Sequence, residues 1–302
     1  MANVADSSLI PLGRSGLAVA PLGWGMWRFA GAELSEARAR VEAALECGCT
    51  LFDTADVYGL GTPAGFGGAE ALFGKVLAAA PALRERIVLA TKAGIEPGVP
   101  YNSSSRYLIE ACEASLRRLR VERIDLLQVH RPDLLAHPEV VAQAFERLQH
   151  AGKIRAVGVS NYSASQTRAL LGHLTIPLAT LQPEFSPLAL EPLTDGVLDL
   201  ALERGIAVLA WSPLAQGRLA HRGADARVQR VIDVLDEVAA RVGATRSAVA
   251  CAWVMMHPSR PVPLLGAQSL GHLREAAAAL RVSLDRADWY RVLEASRGEP
   301  MP

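Results

Sequence analysis

Cys49-Thr-Leu-Phe-Asp53-Thr-Ala-Asp-Val-Tyr58-Gly59 decides how this chain folds. A short apolar run stops on an acid, and a phenol follows on the next turn of chain. Two further runs end the same way. Ile87-Val-Leu-Ala-Thr-Lys92 stops on an amine, and Ile124-Asp-Leu-Leu-Gln-Val-His130 on an imidazole. In a parallel barrel, catalytic groups stand at the C-terminal ends of several different strands. An acid, a phenol, an amine and an imidazole delivered in that way can meet at one centre.

The rest of the chain repeats the rhythm. Before the Asp53 run, Ser35 is placed to cap a helix reaching about Cys47. Between the polar stops lie helical stretches at Gly68–Leu77 and from about Ser104 to Arg118, where Leu108, Ile109, Cys112, Leu116 and Leu119 recur at helical spacing. Pro138 to about His150 reads as a helix with proline tolerated in its first turn. Ile154-Arg-Ala-Val-Gly-Val-Ser160, Ala179-Thr-Leu-Gln182, Ile206–Ser212 and Val262–Gly266 read as strands. Helices fall between them at Ser163–His173, Asp195–Arg204, 226–257 (divided near Gly243) and Ser269–Leu280, and a last one begins near Asp285. With Ala20–Gly25 as the first strand, eight strands alternate with helices, which is a (β/α)8 TIM barrel. The residues before it, turning at Gly13-Arg-Ser-Gly16, predict a short hairpin closing the barrel floor. No linker or composition shift divides residues 1–302, so a single domain is expected. The Rossmann alternative needs G-x-G-x-x-G, and Gly23-Trp-Gly25-Met-Trp-Arg28 has arginine at the third glycine position.

Composition narrows the function classes. The chain carries 31 basic and 31 acidic residues, a formal net charge of zero, so there is no overall basic field for nucleic acid or an anionic membrane. No stretch approaches the ~20 apolar residues that span a bilayer. Met1–Ser8 lacks the basic and apolar regions of a signal peptide, which predicts a cytoplasmic protein. Cys47, Cys49, Cys112 and Cys251 complete no zinc set and are read as free thiols.

The four polar stops have a chemical logic. A phenol with an ordinary pKa near ~10 becomes a better acid beside a cation. Lys92 can be that cation, Asp53 its counter-ion, and His130 a donor that orients a carbonyl oxygen. Taken singly, Asp53 reads as a cap, Tyr58 as a loop aromatic, Lys92 as a surface lysine and His130 as a satisfied polar residue. Their joint placement on successive strand ends reverses that reading. Glu70 reads as an anchor of the loop to the following helix. Arg131 either faces a substrate or braces Asp133. Arg117-Arg118-Leu-Arg120 reads as a solvated helix end. Trp24, Trp27, Phe29 and Tyr101 are candidates for an aromatic-lined mouth.

The order and spacing of Gly13-Arg-Ser-Gly16, Phe52–Gly59, Thr91-Lys92, Asp125–His130, Gly152–Asn161 and Trp211–Gly217 resemble the aldo-keto reductases over nearly the whole chain. His130-Arg-Pro-Asp133 and the ending around Ala250–Gly266 are most similar to the bacterial YdhF oxidoreductase branch. The resemblance implies that Tyr58 protonates a carbonyl, that Lys92 paired with Asp53 lowers its pKa, and that His130 orients the carbonyl. It implies a reduced nicotinamide as hydride source, NADPH by family preference with NADH as an alternative. Ser160, Asn161 and Gln182 would hold the nicotinamide carboxamide and Trp211 would stack on the ring. Ser212, Leu214, Gln216, Gly217 and Arg218 would follow the pyrophosphate. Gly25, Met26 and Trp27 would line the rim near the ribose and substrate, with Asp53 below them. Gly266, Ser269, His272 and Glu275 would border the adenosine end. No metal is expected. The partner is a small carbonyl compound, and oligomeric state is unreadable. The alternative function is a nicotinamide-binding redox sensor or regulatory subunit with negligible turnover.

Overall fold

The computed structural model describes residues 9–221 and 225–302; the Met1–Ser8 segment lies outside them. Eight parallel strands close into a barrel: β3 (Gly23–Gly25), β4 (Leu51–Asp53), β5 (Val88–Ala93), β6 (Ile124–Val129), β7 (Ile154–Ser160), β8 (Leu178–Gln182), β9 (Ala207–Ala210) and β10 (Val262–Leu265). Each pairs in parallel with the next, and β10 returns to β3. The helices between successive strands cover the outside, as the alternation predicts. They include α1 (Leu34–Glu46), α2 (Gly68–Ala79), the single-turn α3 (Ala82–Glu85), α4 (Ser105–Leu119), α5 (Pro138–His150), α6 (Ala164–Leu171) and α7 (Val197–Arg204). After β9 come α8 (Ala226–Val242) and α9 (Arg246–Met255), and after β10 come α10 (Leu270–Ala277) and α11 (Arg286–Arg297).

Local signals fix several helix starts. Ser104 accepts from the Tyr107 N–H, Ser163 forms a reciprocal capping box with Gln166, and Asp285 forms one with Asp288. Two helix starts differ from those expected. Ser35 lies inside α1, which starts from Glu33 without a side-chain cap. Asp195 binds the Val197 N–H, but the helix starts one residue later than it, from Gly196 in a left-handed conformation.

β1 (Ile10–Pro11) and β2 (Ala18–Val19) form the antiparallel hairpin. Ile10, Leu12, Leu17 and Val19 pack with Leu51, Ala90, Leu126, Ala156, Ala179, Leu209, Val262 and Leu264 in one buried cluster. These are inward residues from the lower half of the barrel strands, so the hairpin plugs the N-terminal end. Gly13 turns it at φ 56°, and a Cβ there would lie 3.0 Å from the Ala179 carbonyl oxygen, so only glycine lets the turn sit this close to β8. The larger apolar layer lies between barrel and helices. Trp24, Phe29, Phe52 and Phe73 interlock there, with ring centroids 5.4 to 6.1 Å apart. Trp24 and Phe29 therefore pack in the core and do not line a mouth, because Trp24 points outward from its strand toward the helices. Among the described residues the four cysteines are free, and burial pushes Cys49, Cys112 and Cys251 up to about 12.

Helices α2 and α4 touch at Gly74, where an added Cβ would lie 2.0 Å from the Arg118 carbonyl oxygen. Gly74→Ala should therefore lower stability by about 1–3 kcal/mol, read from the midpoint of urea unfolding. An unchanged midpoint would show that the two helices part at no cost.

Candidate active site

Above the apolar floor the barrel interior turns polar within one residue pair per strand. Alternation carries this change: Leu51 and Asp53 face in from β4, Ala90 and Lys92 from β5, Leu126 and Gln128 from β6. Asp53 is the hub. Its Oδ2 accepts from Lys92 Nζ at 2.5 Å, and its Oδ1 accepts from Gln128 Nε2 and Gln182 Nε2, both at 3.1 Å. Gln128 Oε1 in turn accepts from the Thr180 hydroxyl at 3.1 Å. The shift of register where β7 meets β8, between Val157 and Gly158, turns Thr180 to this inner face.

Lys92 has 1% exposure and uses three partners: Asp53, the Thr54 carbonyl at 3.0 Å and the Tyr58 hydroxyl at 3.2 Å. Burial alone would pull its pKa down, but the Asp53 charge and the bonds to Asp53 and Tyr58 outweigh it, and the net direction is up. The ammonium is thus held charged in a dry site. Tyr58 also moves up. Burial is the largest cause, and the Lys92 charge opposes it without reversing it. The expected lowering by Lys92 is present, but desolvation of the phenolate exceeds it in this structure. The phenol therefore keeps its proton.

His130 follows the last residue of β6, its ring 5.8 Å from that of Tyr58 and nearly perpendicular to it. Burial, then the Lys92 and Arg131 charges, hold it well below the usual imidazole range. Its Nδ1 is buried without a hydrogen-bond partner among the described residues. A neutral imidazole beside the phenol suits a carbonyl oxygen, which needs a donor and no further cation. The structure therefore brings Asp53, Tyr58, Lys92 and His130 together at the C-terminal mouth of the barrel.

The other side of the mouth is built from β7 to β9. The Ser160 hydroxyl donates to the Gln182 carbonyl at 2.9 Å, and Asn161 Nδ2 donates to the His130 carbonyl at 3.1 Å and to Ser160 Oγ at 2.9 Å. Asn161 Oδ1 accepts the Trp211 indole N–H at 3.0 Å, which fixes the half-buried ring at the rim. Of the six non-glycine residues with left-handed φ among those described, four lie here: Asn161 (59°), Ser212 (52°), Ala215 (49°) and Gln216 (59°). Backbone held in that region costs energy, and such strain clusters where a ligand is bound. Side-chain amides suited to a carboxamide, an indole fixed beside them and a strained loop beyond fit a nicotinamide nucleotide.

The remaining predicted residues separate. Gly25 sits beside Asp53 in register, and the Met26 N–H donates to the Asp53 carbonyl at 2.9 Å. The Met26 side chain is fully buried in the core, so it does not line the rim; Trp27, 60% exposed, does. Leu214 packs partly into the core, while Gly217 is half-buried and Gln216 and Arg218 are exposed on the loop after β9. Gly266, Ser269, His272 and Glu275 are exposed at the start of α10, where Ser269 caps the helix through the His272 N–H. Asp133 is occupied by the Ser103 and Leu135 N–H groups, and Arg131 lies over the Trp211 ring at 5.7 Å. Arg131 therefore faces the mouth and does not brace Asp133. Gln128 was not foreseen. Its signal is a polar residue two positions before His130, in phase with inward Leu126, in an otherwise apolar strand.

Behind the wall lies a second buried polar group. Glu70 is fully buried and bonded to Thr91 and Arg118, so Arg118 is part of the interior network and not of a solvated helix end. Beside it, Asp56 is fully buried and both its carboxyl oxygens lack a hydrogen-bond partner among the described residues. Burial, then the Glu70 charge, raise it well above its ordinary 3.8.

Comparison with known proteins identifies the family. The family model described as the aldo/keto reductase family matches residues 21–297. The chain is 50% identical over 293 residues to a 6-dehydroglucose reductase of Novosphingobium aromaticivorans, covering 96% of each chain. It is 37% identical to the oxidoreductase YdhF of Escherichia coli, covering 87% of this chain and 88% of that one. The crystal structure of a thermostable aldo-keto reductase, Tm1743, in complex with the inhibitor epalrestat superposes with a TM-score of 0.83 at 25% identity, covering 95% of this chain and 99% of that one.

A carboxyl whose pKa is higher folded than unfolded binds more protons in the folded state, so stability falls as pH rises from the unfolded value toward the folded one. Asp56→Asn should therefore raise the urea midpoint at and above about pH 7 and change it little near about pH 3, where both states hold the carboxyl neutral. Equal effects at the two pH values would refute the buried, unpaired carboxyl.

Proposed function

The chain belongs to the aldo/keto reductase family and is an NAD(P)H-dependent oxidoreductase, and from that premise we propose that it reduces an aldehyde to an alcohol with Tyr58 as the proton donor. The observation that carries this reading is the 3.2 Å contact between the Tyr58 hydroxyl and the charged, fully buried Lys92. A bound NADPH would supply the hydride, with NADH as the alternative cofactor. Ser160, Asn161 and Gln182 would hold its carboxamide, and Trp211 would flank the ring.

The chain's own residues account for the proton. His130 donates to the carbonyl oxygen and sets its direction toward the phenol. Tyr58 gives its proton to that oxygen as charge develops there, and the phenolate left behind is held by Lys92. Asp53 keeps Lys92 charged throughout, so the ammonium need not be generated during the reaction. In the oxidative direction the same phenolate takes the alcohol proton. Proton transfer by a positioned group of this kind contributes roughly 10²–10⁴ in rate.

For substrate, the relative at 50% identity, a 6-dehydroglucose reductase, makes a hydroxylated aldehyde the leading candidate. Arg131 supports it. A guanidinium stacked on Trp211 at the mouth, with no ion pair among the described residues, has its donors available for oxygens beyond the reacting carbonyl.

Tyr58→Phe should lower kcat by at least about 10² while leaving cofactor affinity, measured by fluorescence quenching, nearly unchanged. Wild-type turnover in that variant would remove the proposed acid. A panel of hydroxylated and unsubstituted aldehydes, assayed with NADPH and NADH in parallel, tests substrate class and cofactor together. On the same panel, Arg131→Ala should raise KM for hydroxylated aldehydes and leave it unchanged for unsubstituted ones. An equal effect on both would remove Arg131 from specificity.

A further inference from the structure

Glu70 touches neither the phenol nor the lysine, yet it is joined to the chain segments that carry both. It is fully buried, and its Oε1 accepts the Thr91 hydroxyl at 2.5 Å. Thr91 immediately precedes Lys92 on β5. Alternation sends the Thr91 side chain out toward α2 and the Lys92 side chain into the barrel. On the other flank, Ala69, the residue before Glu70, donates its N–H to the Tyr58 carbonyl at 3.1 Å. Glu70 Oε2 is held by Arg118 Nε at 2.7 Å; Arg118 also donates to Ser115 Oγ at 3.1 Å and lies over the Phe66 ring at 5.7 Å. Phe66 belongs to the loop that leads from Tyr58 into α2. The contact on which proton transfer depends is therefore spanned from behind by one carboxylate.

A carboxylate accepts from both the Thr91 hydroxyl and the Arg118 Nε–H. An amide at position 70 would lose the charge-assisted bond to Arg118 and would have to reverse the bond to Thr91 or give it up. A buried carboxylate with one partner removed is also costly, so the staple holds only when both bonds are made.

We propose that Glu70 is a positioning residue for proton transfer: by tying the outer face of β5 to the start of α2, it holds Lys92 within hydrogen-bond reach of the Tyr58 hydroxyl. This rests on the reading of Tyr58 as the acid. Displacements of about 1 Å in such a site cost on the order of 10² in rate.

A pH profile separates positioning from simple bracing. The largest charges bearing on the Tyr58 phenol are Lys92, Asp53 and Arg131, with the His130 ring packed against it, and the Glu70 charge is not among these largest ones. If Lys92 retreats, the phenol loses its nearest cation and its pKa rises. The reduction needs the protonated phenol, so the alkaline limb of kcat moves to higher pH.

The test uses Glu70→Gln, Thr91→Val and Thr91→Ser in the full chain, with Tyr58→Phe alongside. The expected result for Glu70→Gln and Thr91→Val is a kcat lowered by about tenfold or more. KM for the aldehyde and the cofactor Kd should stay within about twofold. The alkaline limb should shift upward, and the double variant should be no worse than the worse single one. Thr91→Ser, which keeps the hydroxyl, should retain wild-type kcat. Wild-type kcat in Thr91→Val with only a lower Tm would overturn the proposal and leave Glu70 as a brace. So would an unshifted alkaline limb, or a fall in kcat matched by weaker cofactor binding. Should Glu70→Gln fail to fold, the Thr91 pair decides alone. Should Tyr58→Phe remain active, it is the assignment of the acid that fails; an inactive Tyr58→Phe with a wild-type Thr91→Val refutes the positioning role only.

Discussion

A charged lysine with 1% exposure cannot exist in a barrel without an acid beside it, and the Lys92–Asp53 pair is the constraint around which the upper interior is organised. An isolated buried charge costs several kcal/mol even after relaxation, so every remaining lone pair of the acid must be used. Gln128 and Gln182 use them, and Thr180 holds Gln128 in turn. The result is one polar layer, closed on itself and resting on an apolar floor sealed by the hairpin. It leaves Lys92 one further partner at the mouth, the phenol of Tyr58.

The mouth divides into two sides with different physics. On the side of β4 to β6, desolvation prevails at Tyr58 and His130, whereas at Lys92 the Asp53 charge and the bonds to Asp53 and Tyr58 outweigh it. On the side of β7 to β9, the groups are amides, a hydroxyl and an indole, and the backbone itself carries the strain. Ionisable groups on one side and amide, hydroxyl and indole groups on the other are thereby carried by separate strands of one barrel. His130 and Asn161 join the two sides, since the Asn161 side chain donates to the His130 carbonyl.

Strand ends were legible because alternation and position along the strand carry the information. Lys92 and His130 end apolar runs, and Ser160 and Gln182 end theirs, so their places in the barrel follow from the strand pattern. Aromatic residues were not legible in the same way. Trp24 and Phe29 read as mouth residues, but an indole on a strand of three residues has two faces to choose from, and the helix-facing side won. Met26 went the same way. Long charged side chains were the least legible. Arg118 sits in a run of arginines that reads as solvated, yet its guanidinium reaches an acid 48 residues away in sequence. Arg131 was open between two partners until Asp133 proved to be taken by backbone N–H groups.

By itself the sequence determined the barrel, its strand count, the hairpin beneath it and the four residues that converge at its mouth. It could do so because period and strand-end polarity are local properties, written within five to seven residues. Only the tertiary structure decided which neighbours those residues meet. The Gln128–Asp53 bond spans 75 positions and the Gln182–Asp53 bond 129. The net direction of the Tyr58 pKa was likewise undetermined by the chain, because burial and the Lys92 charge oppose each other and only their three-dimensional arrangement says which is larger.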